Sequence, residues 1–237
     1  AVNPVTGEAL NLTKLDIKGL GKAKYILKEG GTLGDLYTTS NLRFNDNGYV
    51  EVDKNGNLLM TDEGEDIYLG SVFPNHNLAW RNDFSYKGIN LGVLFTARLG
   101  GVCYSATQAN LDLYGVSEAS AAARDAGGVL INGREMVDAQ KWYQAIGSQS
   151  GLPQYYLYSA TNVRLQELSL GYTFPRKWFR NKLGLTVSFV GRNLWMIYCK
   201  APFDPEAVAS TGLNYQGIDY FMMPSVRNLG FNVKFQF

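Results

Sequence analysis

The chain ends on the stretch LGFNVKFQF, residues Leu229 to Phe237. Successive side chains of a strand point to opposite faces, so the apolar and polar residues of this stretch separate completely. The apolar set is Leu229, Phe231, Val233, Phe235 and Phe237. A soluble protein seldom ends on its most apolar strand, because chain ends are usually loose and polar. A strand of an outer-membrane barrel needs this pattern, since one face meets lipid and the other faces the lumen.

The composition fits many strands joined by turns. Of the 237 residues, 46% are hydrophobic and 13% aromatic, and 26 are glycines. The net charge is +1 and no basic run occurs, so we expect no nucleic-acid partner. No stretch approaches the ~18 consecutive apolar residues of a membrane helix. The opening residues 1–7 lack the features of a signal peptide, and we expect the sequence to begin partway through a longer protein.

Four earlier segments alternate in the same way as the final stretch. They lie at residues 78–87, 89–100, 167–174 and 185–192, and in the second of them Leu94 is an apolar residue on the polar face. Val163 and Leu165 are out of phase with the third segment, which predicts a β-bulge near Gln166. The sequence therefore predicts five long antiparallel strands.

The connections between these segments alternate short and long. Lys87-Gly88 and residues 175–183 are short, whereas residues 101–162 and 197–225 are long. This is the pattern of an outer-membrane barrel, with tight periplasmic turns and large external loops. Within the loops we predict helices at 117–126, capped by Ser117, and at 138–146. We also predict a hairpin over 49–58 on an Asn-Gly turn, and we place all three outside the membrane.

The two faces of the strands supply the candidate functional residues. Charged residues on the polar face would line a lumen and contact a plug domain or a passing solute, the alternative being simple solvation or ladder pairing. These candidates are Arg81, Asp83, Arg98, Arg164, Arg192 and Lys234. The lipid-facing candidates are Leu91, Val93, Phe95, Leu170, Val187, Phe231, Val233 and Phe235. Those of strands two and five, together with Ile89, should be exposed in the chain without a membrane, and burial between two sheets would favour a sandwich.

Aromatic residues fall where the girdles of a barrel would lie, although singly they suit a sandwich core equally well. Those mapped to the periplasmic rim are Tyr86, Tyr172, Phe174, Trp178, Phe179 and Phe237. Those mapped to the outer rim are Trp80, Trp195, Tyr198, Tyr220 and Phe221. Arg176, Lys177 and Arg180 lie beside Trp178, where a solvated turn is favoured over contact with phospholipid headgroups.

The sequence offers no catalytic or metal site, so we expect neither enzymatic activity nor a cofactor. Asp53, Asn55 and Asn57 have the spacing of a calcium loop, but Leu58 and Gly64 stand where that loop needs Gly and Glu. His76 is the only histidine, and no nucleophile motif surrounds it.

The two cysteines, Cys103 and Cys199, follow the outer ends of strands two and four. With strand three between them, their Cα atoms should be at least about 9–10 Å apart. A disulfide needs a separation below about 7 Å, so we predict two thiols.

Four stretches together resemble the C-terminal barrel region of a SusC/RagA-type TonB-dependent outer-membrane transporter. They are residues 68–74 leading to 82–88, residues 160–175, Gly191-Arg192-Asn193-Leu194-Trp195, and Pro224-Ser225-Val226-Arg227 running into the final strand. They span most of the chain after Tyr68, and their combination is specific although no single stretch is.

The resemblance implies a 22-stranded barrel with an N-terminal plug, a SusD-like surface lipoprotein as partner, and energy from TonB. It implies import of oligosaccharides or peptides, and a role for Phe237 in the signal read by the barrel-assembly machinery. Five strands cannot close a barrel, which needs at least about eight. We therefore expect the last part of a longer importer in the bacterial outer membrane, in contact with its lipid and reached by TonB through an N-terminal part outside this sequence.

The predicted fold is thus all-β, an antiparallel transmembrane β-barrel portion of about five strands with long extracellular loops containing short helices. Residues 1–77 would form an extracellular loop and hairpin region, and residues 78–237 the C-terminal barrel strands. The alternative is a surface carbohydrate-binding β-sandwich, and a secreted hydrolase is the weakest of the three readings.

Overall fold

The computed structural model describes residues 13–61, 64–209 and 215–237. Residues 1–12 and 62–63 of the predicted N-terminal region, and 210–214 of the second long connection, lie outside this description. Backbone contacts divide the chain into two compact units. The loop unit comprises Ala1–Phe73, Val102–Tyr158 and Val208–Met222, and the sheet unit comprises Pro74–Gly101, Ser159–Ala207 and Met223–Phe237.

The described residues form sixteen β-strands. They are β1 (Lys14–Leu20), β2 (Ala23–Lys28), β3 (Asp35–Thr38), β4 (Asn41–Leu42), β5 (Met60–Thr61), β6 (Ile67–Ser71), β7 (His76–Tyr86), β8 (Ile89–Leu99), β9 (Val102–Ser105), β10 (Val129–Ile131), β11 (Glu135–Val137), β12 (Leu157–Ser159), β13 (Asn162–Phe174), β14 (Gly184–Cys199), β15 (Ile218–Asp219) and β16 (Asn228–Gln236). The helices are α1 (Ala106–Leu113), α2 (Glu118–Asp125) and α3 (Ala139–Gly147), with short 3₁₀ turns at Pro153–Tyr156 and Arg176–Phe179. Within the described ranges, no helix is long and apolar enough to cross a membrane.

The sheet unit is built on five long strands that pair in chain order. The order across the sheet is β7-β8-β13-β14-β16, and every neighbouring pair is antiparallel. The five predicted strands are therefore confirmed. Three of them are longer than predicted, since β7 begins at His76, β13 at Asn162, and β14 runs on to Cys199.

A β-bulge lies in β13 where the sequence predicts one. Leu165 pairs with Phe95 and Glu167 pairs with Leu94, so Gln166 is the extra residue opposite β8. One extra residue shifts the alternation of a strand by one. The bulge thereby returns Val163 and Leu165 to the apolar face that Leu168 and Leu170 occupy.

The first short connection is a two-residue hairpin. Tyr86 pairs with Ile89, and both Lys87 (φ 48°) and Gly88 (φ 88°) have positive φ. Two such residues in succession are typical of the type I′ turns that match the twist of a hairpin. The second short connection contains the 3₁₀ turn at Arg176–Phe179, and both connections lie at the same end of the sheet.

The loop unit gathers the N-terminal region and parts of both long connections around one core. Its β1-β2-β3-β6 sheet is accompanied by a β12-β9-β15 sheet in which β9 and β15 run parallel. Its fully buried side chains include Tyr25, Leu36, Leu152 and Ile218. The predicted placement of residues 1–77 outside the membrane, with residues 78–237 as a barrel region, stays a prediction.

The helices of the first long connection follow their capping residues. The Ser117 hydroxyl accepts the N–H of Ser120 at the start of α2, and the Asp138 carboxylate accepts the N–H of Lys141 at the start of α3. Both helices and the Ser117 cap are predicted from the sequence and are confirmed, whereas the sequence analysis did not identify Asp138 as a cap. A polar residue before a helix satisfies N–H groups that lack partners within it. Helix α1, capped by Ser105, is an additional element that the sequence analysis missed.

Candidate functional site

The five-stranded sheet carries polar and apolar residues on separate faces. One row of paired residues across the sheet is Phe84, Leu91, Leu170, Phe189 and Phe231. The neighbouring row points to the other face and reads Ser85, Asn90, Gly171, Ser188 and Asn232. The register thus aligns the alternation of every strand with that of its neighbours.

All six charged candidates lie on the polar face. Arg81 and Asp83 pair with each other, with Nε to Oδ2 at 2.9 Å and Nη2 to Oδ1 at 3.2 Å. Glu167 lies between Arg81 and Arg192, at 3.5 Å from the first guanidinium and 3.0 Å from the second. A line of alternating charge therefore crosses β7, β13 and β14. Glu167 is not among the sequence candidates, because its position between two arginines depends on the register of the strands.

The remaining polar-face candidates have different surroundings. Arg98 lies on β8 opposite Asn162 and Asn77 and is half-buried. Lys234 lies on β16 opposite Thr186 and is exposed.

Arg164 is buried, with 3% of its surface exposed. Its guanidinium donates to both carboxylate oxygens of Asp204, at 2.9 and 3.2 Å, and lies 3.4 Å from Glu206. It also donates to the side-chain oxygens of Asn162 and Asn193, at 3.2 and 3.4 Å. A two-pronged arginine–carboxylate pair of this kind fixes geometry as well as charge. Arg164 therefore joins β13 to the segment that follows β14.

Two residues of this network were not recognised in the sequence. Asp204 lies 40 positions from Arg164, so no local pattern connects them. Asn193 has a positive φ of 52°, a conformation that Asn tolerates better than most residues. It lies in the irregular stretch of β14 opposite the bulge, and its amide donates to the Val226 carbonyl at 3.3 Å. The Gly191-Arg192-Asn193-Leu194-Trp195 stretch thus contains the irregular part of β14, with the positive φ at Asn193.

Burial raises the pKa of Asp204, but hydrogen bonds outweigh that effect. They come from Arg164, from the Ser225 hydroxyl and from the Glu206 backbone N–H. The pKa of Asp204 consequently lies below its ordinary value of 3.8. Its carboxylate stays ionised, as its contact with a buried guanidinium requires.

The eight lipid-facing candidates all lie on the apolar face. Phe231, Val233, Phe235 and Leu170 are exposed, Phe231 to 81%. Val187 is half-buried, and so are Leu91, Val93 and Phe95, which were predicted to be exposed. That prediction is wrong for these three residues of β8, whose flanks β7 and β13 partly cover. In the described part of the sheet unit, no second sheet packs on this face. Contact of this face with lipid stays a prediction, as does an assembly role for the exposed Phe237.

Aromatic residues cluster at the end of the sheet that carries the short turns. The Phe174 ring centroid is 5.0 Å from that of Tyr172, 5.8 Å from Trp178 and 6.5 Å from Phe179. Toward the other end, Trp80 stacks on Phe95 at 5.7 Å. Trp195 and Tyr198 are exposed on β14 in that half, and Tyr220 and Phe221 belong to the loop unit.

The remaining sequence candidates behave as structural residues. Asp53 accepts the N–H groups of Asn55 and Asn57 and the Asn57 amide, all within 2.8 Å, so it closes the predicted hairpin. In the described ranges, no group of three or more His, Cys, Asp or Glu side chains is placed to hold a metal ion. Cys103 and Cys199 are not joined by a disulfide, as predicted, and they lie in different units.

Comparison with known proteins identifies the class of protein that this chain resembles. No family model matches the chain. Over 198 residues, 79% of its length, the chain is 26% identical to TonB-dependent receptor P3 of Formosa agariphila. Its fold matches the solved RagAB peptide transporter over 94% of the chain, with a TM-score of 0.55 and 19% identity.

The resemblance to SusC/RagA-type TonB-dependent receptors is confirmed. The location in the bacterial outer membrane is confirmed with it. The chain spans 19% of the length of the Formosa receptor and 24% of the solved chain. The fold is mostly antiparallel β with little helix, as predicted, and the matched proteins are a receptor and a transporter.

Proposed function

We propose that this chain is the C-terminal barrel portion of a TonB-dependent outer-membrane importer. Its five strands would be the last five of a barrel of about 22 strands, closed by strands outside this sequence. Residues 1–77 and the long connections would lie on the extracellular side, and residues 78–237 would supply the barrel strands. The observation that carries this proposal is the five-stranded sheet, polar on one face and apolar on the other, with both short turns at one end.

The two faces would have separate tasks in such a barrel. The apolar face would meet lipid, and the polar face would line the lumen. Arg81 and Arg192, which flank Glu167, and Asp83, which pairs with Arg81, would then contact the plug or a passing solute. Arg164 has a different role in this proposal, because its buried pair with Asp204 holds the start of an external loop on β13.

The substrate would be an oligosaccharide or a peptide, taken up with a SusD-like surface lipoprotein and with energy from TonB. The likeness to the RagAB peptide transporter and to a TonB-dependent receptor supports this class of function. The sandwich alternative is less well supported, since it would bury the residues of β16 that are exposed.

The test uses a strain that lacks the full-length protein and is complemented with the wild-type gene. Labelled oligosaccharides and labelled peptides are offered separately, with TonB present or inactivated. We expect complementation to restore TonB-dependent uptake of one class, and the SusD-like lipoprotein to copurify. Uptake unaffected by the deletion, or a protein that is soluble without detergent, would contradict the proposal.

Phe237 would contribute to assembly, because an aromatic residue at the membrane interface anchors the last strand. We expect deletion of Phe237 in the full-length protein to lower its outer-membrane level, whereas Gln236→Ala should not. Immunoblots of outer-membrane fractions, with and without heating, measure the folded amount. Unchanged abundance and unchanged heat-modifiable mobility would count against this role.

A further inference from the structure

The turn between β13 and β14 carries an exposed cluster of positive charge. Arg176, Lys177, Arg180 and Lys182 lie within seven residues, and all four are exposed. Residues 175–183 contain no Asp or Glu. In the part of the chain that the structure describes, none of these four cations forms an ion pair with a carboxylate. Their charge is therefore available to a ligand.

The same turn brings its aromatic side chains onto the apolar face. Trp178 and Phe179 lie near Phe174, which is on that face beside Tyr172. Trp178 remains 67% exposed. The turn thus has apolar rings and cations one or two residues apart, at the border between the apolar face and the end of the sheet.

The neighbouring hairpin extends this surface. The Gly88 carbonyl accepts the Thr173 N–H at 2.7 Å, which holds the hairpin against β13. Lys87 lies over the Tyr86 ring, with Nζ 5.1 Å from the centroid, and both residues are exposed. A fifth cation and another amphipathic ring therefore lie at the same end of the sheet.

We propose that this basic turn, Arg176 to Lys182 with Lys87, binds the headgroup phosphate of an anionic phospholipid whose chains lie on Trp178, Phe174 and Tyr86. The ligand must combine a negative group with an apolar part, because the site pairs cations with exposed rings. Tryptophan and tyrosine favour the headgroup level of a membrane, and lysine and arginine attract anionic lipid there. This inference rests on the proposed function, since it requires the sheet to lie in a bilayer.

The sequence alone favours a solvated turn at this position. The structure changes that assessment because it places the Trp178 and Phe179 rings within 6.5 Å of the Phe174 ring. It also holds the hairpin that carries Lys87 against β13. A turn that only needed solubility would have no reason to keep Trp178 exposed beside the apolar face.

The test measures lipid retained by the full-length protein in detergent, by native mass spectrometry after addition of dioleoylphosphatidylglycerol or dioleoylphosphatidylcholine. We expect the wild type to retain phosphatidylglycerol about fivefold more than phosphatidylcholine, the factor that one well-placed cation supplies. The variant with Arg176, Lys177, Arg180 and Lys182 all changed to Gln should lose that preference. The matched control changes four lysines outside the basic turn to Gln, and it should keep the preference for phosphatidylglycerol. These lysines are Lys18, Lys22, Lys54 and Lys200.

Three outcomes would overturn the lipid site: no preference in the wild type, preference retained in the Arg176 to Lys182 variant, or equal loss in the matched variant. Displacement of phosphatidylglycerol by inorganic phosphate at constant ionic strength would also overturn it, since it indicates a site for free anions. Heat-modifiable mobility of each sample reports barrel folding separately. A wild type that lacks this mobility contradicts the proposed function, whereas a folded wild type without lipid preference contradicts the lipid site alone.

Discussion

The loop unit and the sheet unit place their apolar side chains in opposite environments. In the loop unit, Tyr25 and Leu36 expose 1% or less of their surface. In the sheet unit, Phe231 is 81% exposed, whereas the charged Arg164 is only 3% exposed. Hydrophobic burial therefore accounts for the first unit in water, whereas the second has an apolar face that water does not satisfy. The difference indicates that the sheet unit is made for an environment other than water.

The strongest test of this contrast removes the buried charge of the sheet unit. Changing Asp204 to Ala would leave the Arg164 guanidinium buried without its main partner. We expect a loss of about 3–5 kcal/mol in the free energy of unfolding of the full-length protein, measured by urea titration. Glu206→Gln is the matched control, because the Glu206 side chain is 43% exposed and should cost less than about 1 kcal/mol. Equal effects of the two changes would show that the buried pair is unimportant.

The same pair predicts a pH dependence. The pKa of Asp204 in the folded protein lies below its ordinary value of 3.8, so its stabilising effect is complete above that value. It is lost as the pH falls through the lower folded pKa, where the carboxylate gains a proton. We therefore expect the stability difference between wild type and Asp204→Asn to shrink below pH 3.8. A difference that is constant from pH 3 to 6 would contradict this.

The next test separates the two faces of the sheet. An arginine at Val93, in the middle of β8 on the apolar face, should cost about 2–4 kcal/mol in the assembled barrel. An arginine at Asn232, on the polar face of β16, should cost much less because that face would meet water. Folding into lipid vesicles at increasing urea concentration measures both. Similar costs would mean that the faces do not differ in environment.

The smallest expected effect concerns the line of charge on the polar face. Changing Glu167 to Gln would leave Arg81 and Arg192 facing each other without the carboxylate between them. Because both arginines are more than half exposed, we expect a loss of only about 1 kcal/mol, smaller at high salt. The urea midpoint at 50 mM and 500 mM salt measures it. A loss as large as that of Asp204→Ala would place this line in a buried environment.

The comparison also explains what could be predicted from the sequence. In the sheet unit, the alternation of apolar and polar residues predicted the strands, and its change of phase at Gln166 predicted the bulge. The order of the strands followed because segments that are neighbours in the sequence pair with each other. In the loop unit, residues 117–126 with the Ser117 cap, and residues 138–146, predicted two helices. The parallel pairing of Ile218 with Tyr104 joins residues more than a hundred positions apart, and no local pattern contains it.

The candidate residues divide in the same way. The face of each charged candidate follows from strand alternation and register. The burial of Arg164 does not, because it depends on Asp204 folding back from an irregular segment. The position of Glu167 between two arginines likewise depends on the register of four strands, β7, β8, β13 and β14.

The most direct test of the central proposal compares the surroundings of Phe231 and Asn232, adjacent residues that point to opposite faces of β16. Each is replaced by Cys in a cysteine-free full-length protein, spin-labelled and reconstituted in lipid vesicles. Electron paramagnetic resonance then measures collision with oxygen, which concentrates in lipid, and with a water-soluble nickel chelate. We expect the label at residue 231 to collide mainly with oxygen, and the label at residue 232 to collide mainly with the chelate. Both labels preferring the chelate, or both being shielded from either reagent, would contradict a sheet with one face on lipid and the other on a polar lumen.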